Sequence, residues 1–157
     1  MNAALLAWAL ALGIGAASPA VEQSGGTVRV DVPSVLTFQV TTLTQPTIVS
    51  GFRVSFNQAK LGSGLALRIS VKAEGTLTVG GLTVPISNIS WTTSQPSNGT
   101  GMNGVLSTVA YTPVFESRVN PSTGRIDLAW SLSMPVGPLL AGTGQVNLRW
   151  KLEAISP

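Results

Sequence analysis

The chain of 157 residues contains no cysteine and no histidine. Without cysteine it can form no disulfide, no zinc–thiolate site and no iron–sulfur cluster. Without histidine it lacks the commonest general base and the commonest metal ligand, and neither a Ser-His-Asp nor a Cys-His arrangement can form. We therefore predict a protein that is not an enzyme and that carries no cofactor and no metal.

Acidic residues are also scarce, six in all. Because glycoside hydrolysis requires only a pair of carboxylates, a secreted enzyme that acts on carbohydrate stays open as a minor alternative. Most of the acidic residues fall at outward positions or at strand ends, where solvation is the ordinary role. Glu116, in "PVFESRV", is the acidic residue whose direction the pattern leaves undetermined, and Asp127 completes the pair for this alternative.

Basic residues number nine, which gives a net charge of +3. They are spread singly from Arg29 to Lys151 and form no cluster. Nucleic-acid binding needs a dense basic stripe with aromatic residues between the charges, so we predict no nucleic-acid partner. Contact with an anionic cell-wall polymer or lipid surface needs fewer charges and stays open.

The first twenty residues differ in composition from the rest. Residues 3–17 form an apolar run without a charge, and small residues follow it. This run is too short to span a bilayer comfortably but matches the core of a secretory signal peptide, with cleavage after Ala17 or Ala20. We predict a signal-peptide helix over 1–20 and one exported domain over 21–157, secreted or at the cell surface, with no stable transmembrane span. A retained apolar tether is the alternative.

Alternation of apolar and polar residues is the dominant pattern after residue 20. It is clearest in "LALRISVKA", where the apolar positions alternate with Arg68, Ser70 and Lys72. About eight to ten such segments, separated by turn signals, are typical of an antiparallel sandwich. The fold class that we predict is therefore all-β, an antiparallel β-sandwich of Ig-like or Greek-key type. A single closed barrel is the second architecture.

Two stretches carry strong turn signals. Gly80-Gly81 separates two alternating runs and predicts a two-residue hairpin, whose second strand should end near Pro85. Residues 94–104, "SQPSNGTGMNG", are rich in Gly, Ser, Asn and Pro, and they predict the longest surface loop.

Three tryptophans outside the leader raise the question of core or binding surface. Trp130 in "IDLAWSLSMP" and Trp150 in "QVNLRWKLEAISP" alternate with polar residues and share a face with leucines. This position is typical of a strand core, so we expect both rings to be buried in one core. Trp91 precedes the polar stretch 92–101 and is the tryptophan that we expect to be exposed.

The C-terminal segment "VNLRWKLEAISP" contains Leu148-x-Trp150-x-Leu152, with Pro157 just beyond, and it follows "LSMP" at 132–135 and "AGTG" at 141–144. These segments resemble the closing strand of WxL domains and the segment that leads into it. WxL domains are exported proteins that associate with the surface of Gram-positive bacteria. The resemblance implies a β-sandwich and non-covalent attachment to peptidoglycan in a bacterial host.

The first functional hypothesis is an exported structural or adhesive protein of the cell surface that binds cell-wall polymer. Its expected polymer-contacting residues are four outward bases and one aromatic side chain: Arg68, Lys72, Arg149, Lys151 and Trp91. The second is a polymerising subunit of a pilus, coat or other extracellular filament. There the segment 25–40, "GGTVRVDVPSVLTFQV", would pair with the sheet edge of a neighbouring subunit.

Overall fold

The computed structural model of the chain describes residues 20–24, 26–41, 46–135 and 141–157. The predicted signal peptide lies outside the described residues except at Ala20, which begins the first strand. The described residues contain one 3-10 helix, Ile86–Asn88, no α-helix and thirteen strands. The strands are β1 (Ala20–Ser24), β2 (Gly26–Asp31), β3 (Val35–Val40), β4 (Thr47–Leu61), β5 (Ala66–Glu74), β6 (Leu77–Val79), β7 (Leu82–Val84), β8 (Ile89–Ser97), β9 (Gly99–Gly101), β10 (Gly104–Val105), β11 (Thr112–Ser117), β12 (Gly124–Leu132) and β13 (Gly142–Ile155).

The strands form two main sheets. Sheet A has the order β1-β13-β5-β11-β9, with β3 also paired to β13, and sheet B has the order β10-β8-β12-β4-β2. The described ladders are antiparallel except for β1 and β13, which run parallel. The apolar faces of both sheets contribute to one hydrophobic core. The predicted all-β sandwich is therefore confirmed.

The two Trp-x-Leu strands occupy inner positions of opposite sheets. β12 lies in the middle of sheet B, and β13 is flanked in sheet A by β5 on one side and by β1 and β3 on the other. Trp130 and Trp150 are fully buried in the shared core. The prediction that both rings face one core is confirmed, because alternation along each strand puts the Trp and its leucines on the inner face.

β13 also fixes the point at which the N-terminal part of the chain crosses from sheet B to sheet A. Trp150 Nε1 donates a hydrogen bond to the carbonyl of Pro33 at 2.7 Å, and the backbone N–H of Leu148 donates to the carbonyl of Ser34 at 2.8 Å. On one side of this point β3 pairs with residues 142–147 of β13, and on the other β1 pairs with residues 149–153. The edge of β13 is thus shared between two short strands.

The Gly80-Gly81 hairpin is confirmed. β6 and β7 pair with Val79 opposite Leu82, and both glycines have positive φ, 56° and 84°. β7 ends at Val84, directly before Pro85, as predicted. The hairpin buries Leu77, Val79 and Val84 in the main core, so this separate small sheet is part of the domain.

The predicted surface loop over 94–104 is wrong, because most of it is strand. β8 continues to Ser97, β9 pairs with β11, and β10 pairs with β8. The glycines that suggested a loop are instead required for close packing. A side chain at Gly99 would collide with the backbone of β11, and glycine inside a strand often marks such a close approach.

The expectation that Trp91 is exposed is also wrong. Its exposed fraction is 1%, and its ring lies 5.1 Å from the ring of Trp130 at an angle of 54°. Trp91 Nε1 donates to the carbonyl of Met102 at 2.8 Å. The polar residues that follow Trp91 do not expose it, because β8 continues through them as a strand and pairs Trp91 with Trp130 of β12. Trp91 is therefore a core residue and not a polymer contact.

We expect Trp150→Phe to lower the free energy of unfolding by about 1–3 kcal/mol more than Trp130→Phe. Both changes remove the same atoms from one core, but the two indole nitrogens differ. Trp150 Nε1 donates to Pro33, whereas Trp130 Nε1 has no hydrogen-bond partner among the described residues. Urea denaturation followed by far-UV circular dichroism measures both losses. Equal losses would contradict the role given to the Trp150 hydrogen bond.

Candidate binding surface

Four of the five predicted contact residues lie on the outer face of sheet A. Arg68 and Lys72 belong to β5, and Arg149 and Lys151 belong to β13. β5 and β13 are neighbours, and their register sets Lys72 beside Arg149. Because successive side chains of a strand point to opposite faces, burial of the intervening Ile69, Val71 and Trp150 turns the bases outward. The fifth residue, Trp91, is in the core of sheet B.

Three of these bases form ion pairs with carboxylates on the same face. All six side chains are between 30% and 41% exposed. The pairs are Arg68 Nη2–Glu116 Oε1 at 2.6 Å, Arg149 Nη1–Glu74 Oε1 at 3.1 Å and Lys151 Nζ–Glu153 Oε1 at 2.7 Å. Exposed pairs of this kind each contribute about 0–1 kcal/mol to stability. Their main effect is that the face carries alternating charges and has only a small net positive charge.

On this face a tyrosine ring lies close to two lysines. Lys72 Nζ lies 4.9 Å from the centroid of the Tyr111 ring, and Lys151 Nζ lies 5.8 Å from it. Both distances fall within the range of cation–π attraction. Ser70, on the same face of β5, is only 2% exposed. We call Lys72, Tyr111 and Lys151 the Tyr111 cluster.

Tyr111 is the residue of this surface that the sequence did not reveal. It lies in the connection just before β11, and "VLSTVAYTPVF" suggests nothing more than a strand. The antiparallel pairing of β11 with β5, which sets Thr112 opposite Val71, brings it to the lysines. The only available signal was that Tyr111 is the single tyrosine of the chain.

The outer face of sheet B carries a different arrangement, an arginine–aspartate pair among small residues. Arg53 binds Asp127 through two hydrogen bonds, Nε–Oδ1 at 2.7 Å and Nη2–Oδ2 at 3.1 Å. A shallow depression of about 450 Å³ surrounds the pair. Its lining residues are Ser50, Gly51, Arg53, Ser94, Asp127, Leu128 and Ala129. Because Arg53 and Asp127 neutralise each other, the polar groups that this depression offers to a ligand are mainly the hydroxyls of Ser50 and Ser94.

The Arg53–Asp127 pair also changes the acidity of its members. Hydrogen bonds from Arg53 hold the pKa of Asp127 below its usual value, with further attraction from the charges of Arg53 and Arg125, while partial burial opposes the shift. The same pairing raises the pKa of Arg53. Asp127 is therefore ionised over a wider pH range in the folded chain than in the unfolded chain.

A second groove, of about 570 Å³, lies between the base of the β6–β7 hairpin and the segment that follows β10. All of its lining residues are uncharged. They are Gly75, Thr76, Thr83, Val84, Pro85, Ile86, Ser87, Val105, Leu106, Ser107 and Thr108. Such a lining offers a ligand no charged side chain, and none of the predicted contact residues lies there.

The two carboxylates considered for glycoside hydrolysis are not brought together. Glu116 pairs with Arg68 on the outer face of sheet A, and Asp127 pairs with Arg53 on the outer face of sheet B. Glycosidases need their two carboxyl groups about 5–9.5 Å apart across one cleft. In the described ranges no group of three or more Asp and Glu residues is placed to hold a metal ion.

Comparison with known proteins gives no relative. No protein-family model, no curated protein and no solved structure matches the chain. Within the part of the chain that the structure describes, no apolar helix has the length of a membrane span.

Replacing Asp127 by Asn tests the sheet B pair through its pH dependence. Since the folded-state pKa of Asp127 is lowered, the stability that the carboxylate contributes is present above its unfolded pKa of about 3.9 and is lost as the pH falls through the lower folded value. We expect the difference in urea midpoint between the wild type and Asp127→Asn to be constant near neutrality, to shrink as the pH falls below the unfolded pKa, and to vanish once the pH is below the lowered folded-state pKa. A difference that does not change with pH would contradict the pairing.

Proposed function

We propose that this chain is an exported structural or adhesive protein of the cell surface, which binds an anionic cell-wall polymer non-covalently through the outer face of sheet A. The observation that carries the proposal is the Tyr111 cluster, which combines an aromatic ring with two ammonium groups on the outer face of sheet A. The apolar leader over 3–17 supports export. The resemblance of the closing strand to WxL domains supports a bacterial wall as the target.

The chemistry of the cluster fits a polymer that carries both sugar rings and negative groups. Lysine presents a compact charge on a flexible stem, and it can leave the tyrosine for a phosphate or carboxylate at small cost. The surrounding ion pairs are equally weak, since half-exposed pairs contribute about 0–1 kcal/mol each. A polymer anion can therefore replace these partners, and the ring of Tyr111 then offers an apolar surface to a sugar.

The low net charge of the face predicts the character of the binding. Three carboxylates on this face, Glu74, Glu116 and Glu153, nearly balance its four bases. Repeated weak contacts along a polymer suit such a face better than one tight site, because contacts on linked groups reinforce each other. We therefore expect affinity for long chains and little affinity for single sugars or free phosphate.

Sedimentation of the purified chain with isolated bacterial cell walls tests this proposal. We expect wall binding that weakens as salt is added, because exposed charges are screened. The double variant Lys72→Ala/Lys151→Ala should bind about tenfold more weakly, which corresponds to a loss of about 1.4 kcal/mol. Walls stripped of their phosphate polymers separate phosphate from peptidoglycan carboxylate as the target.

The matched control is Arg29→Ala/Arg125→Ala, which removes the same charge from exposed residues of sheet B. It should bind walls as the wild type does. The proposal fails if the wild type stays in the supernatant, or if both double variants lose binding equally, since the effect would then come from net charge alone.

A polymerising subunit of a pilus, coat or filament is the second candidate function. The observation that favours it is β1, a short N-terminal strand that runs parallel to an otherwise open stretch of β13. The segment first considered as a donor, 25–40, is used within its own chain, since β2 pairs with β4 and β3 pairs with β13. β3 also supplies Leu36, Phe38 and Val40 to the core. The strand available for donation to a neighbouring subunit is therefore β1, which precedes this segment.

A further inference from the structure

β1 is the exceptional strand of the sandwich. Its five residues pair in parallel with β13, in the register Ala20 with Arg149 through Ser24 with Glu153. Parallel pairing is slightly less stable per residue than antiparallel pairing. β1 also stands at the N-terminal end of the described chain, so its removal leaves the other described ladders intact. Among the described ladders, release of β1 therefore breaks only the one with β13.

The connection from β1 to β2 is unusually short. One residue, Gly25, separates the two strands in the sequence, yet β1 belongs to sheet A and β2 to sheet B. Two steps of about 3.8 Å between Cα atoms span at most about 7.6 Å, whereas packed sheets lie about 10 Å apart. The chain can make this crossing only where the edges of the two sheets approach each other.

The first residue of β2 shows the same constraint. Gly26 has a φ of +153°, and a Cβ placed there would lie 2.6 Å from the carbonyl oxygen of Lys60. No other residue type fits this backbone without a shift of β4. Short, constrained hinges favour the exchange of an element between identical copies, because exchange relieves the hinge and keeps every pairing.

We propose that β1 of one copy pairs with residues 149–153 of β13 in a second copy of this chain. The inference rests on the second candidate function, and it names both the donated strand and the edge that receives it. Without β1 this stretch of β13 has unpaired N–H and C=O groups, which form a template for a strand. β1 of a second copy fits this edge as well as the chain's own β1 does, because the two strands have the same sequence.

The backbone register and the length of the open edge favour this occupant over an unrelated strand. β3 already covers residues 142–147, so the acceptor edge is limited to residues 149–155 of β13. β1 pairs with five of these seven residues, Arg149 to Glu153. The length of the open edge therefore suits a short strand such as β1.

Disulfide trapping tests the exchange. Since the chain has no native cysteine, every disulfide must form between introduced cysteines. We would prepare the single variants Glu22→Cys and Lys151→Cys with tags of different mass and mix them. The mixture would be held in a partly denaturing concentration of urea, so that strands can exchange, and then diluted to refold. Oxidation would follow refolding. Paired residues of adjacent strands lie about 5 Å apart, within the range of a disulfide. We expect a mixed disulfide in at least about fivefold excess over either homodimer, because only exchange brings the two positions of different chains together.

The matched control uses Thr37→Cys and Gln145→Cys, a pair from β3 and β13 whose native side chains are hydrogen bonded at 3.2 Å. β3 lies inside the domain sequence and supplies the core, so this mixture should give no excess of mixed disulfide. Insertion of Gly-Ser-Gly-Ser after Gly25 should relax the hinge and reduce the Glu22–Lys151 mixed product by at least about fivefold.

The outcomes separate the inference from the function on which it rests. Absence of the mixed disulfide, with an intramolecular disulfide in the Glu22→Cys/Lys151→Cys double variant, overturns the exchange. Filaments seen by electron microscopy without that mixed product keep the polymerising function and refute β1 as the donor. Closed dimers that contain the mixed product confirm the exchange and refute the filament.

Discussion

The hydrogen bond from Trp150 to Pro33 and the adjacent bond from Leu148 to Ser34 fix the place where the chain passes from sheet B to sheet A. They hold the N-terminal crossing segment against the middle of β13. With no disulfide to fix the crossing, the position of β3 on one side and of β1 on the other depends on these two contacts and on burial of the indole ring. The Trp-x-Leu pattern is thus a structural anchor, and it does not act as a recognition tag.

The sequence predicted those features of the fold that depend on residues close together in the chain. Alternation within a strand is local, so it placed Trp130, Trp150 and the four bases of sheet A on their correct faces. The Gly80-Gly81 turn is local too. Partners across strands are not local: nothing in the sequence connects Arg68 with Glu116 or Lys72 with Tyr111, because their contacts exist only once β5, β11 and β13 are in register.

The errors have a common physical cause. The residues around Gly99 have the composition of a loop, but their glycines serve close packing between β9 and β11. The same mistaken loop made Trp91 look exposed, although the pairing of β8 with β12 buries it. Composition indicates how flexible the backbone of a segment is when the segment is isolated. In a sandwich, small residues also occur wherever two backbones must approach each other.

The two proposed activities meet on one strand. Lys151 belongs to the Tyr111 cluster, and it is also the residue that the register sets beside Glu22 of β1. The proposed polymer site and the proposed acceptor edge therefore include the same residue of β13. The polymer would contact outward side chains, whereas a donated strand would pair with the backbone of the edge. On the two proposals together, wall contact and assembly use one strand, which Trp150 anchors to the crossing of the chain.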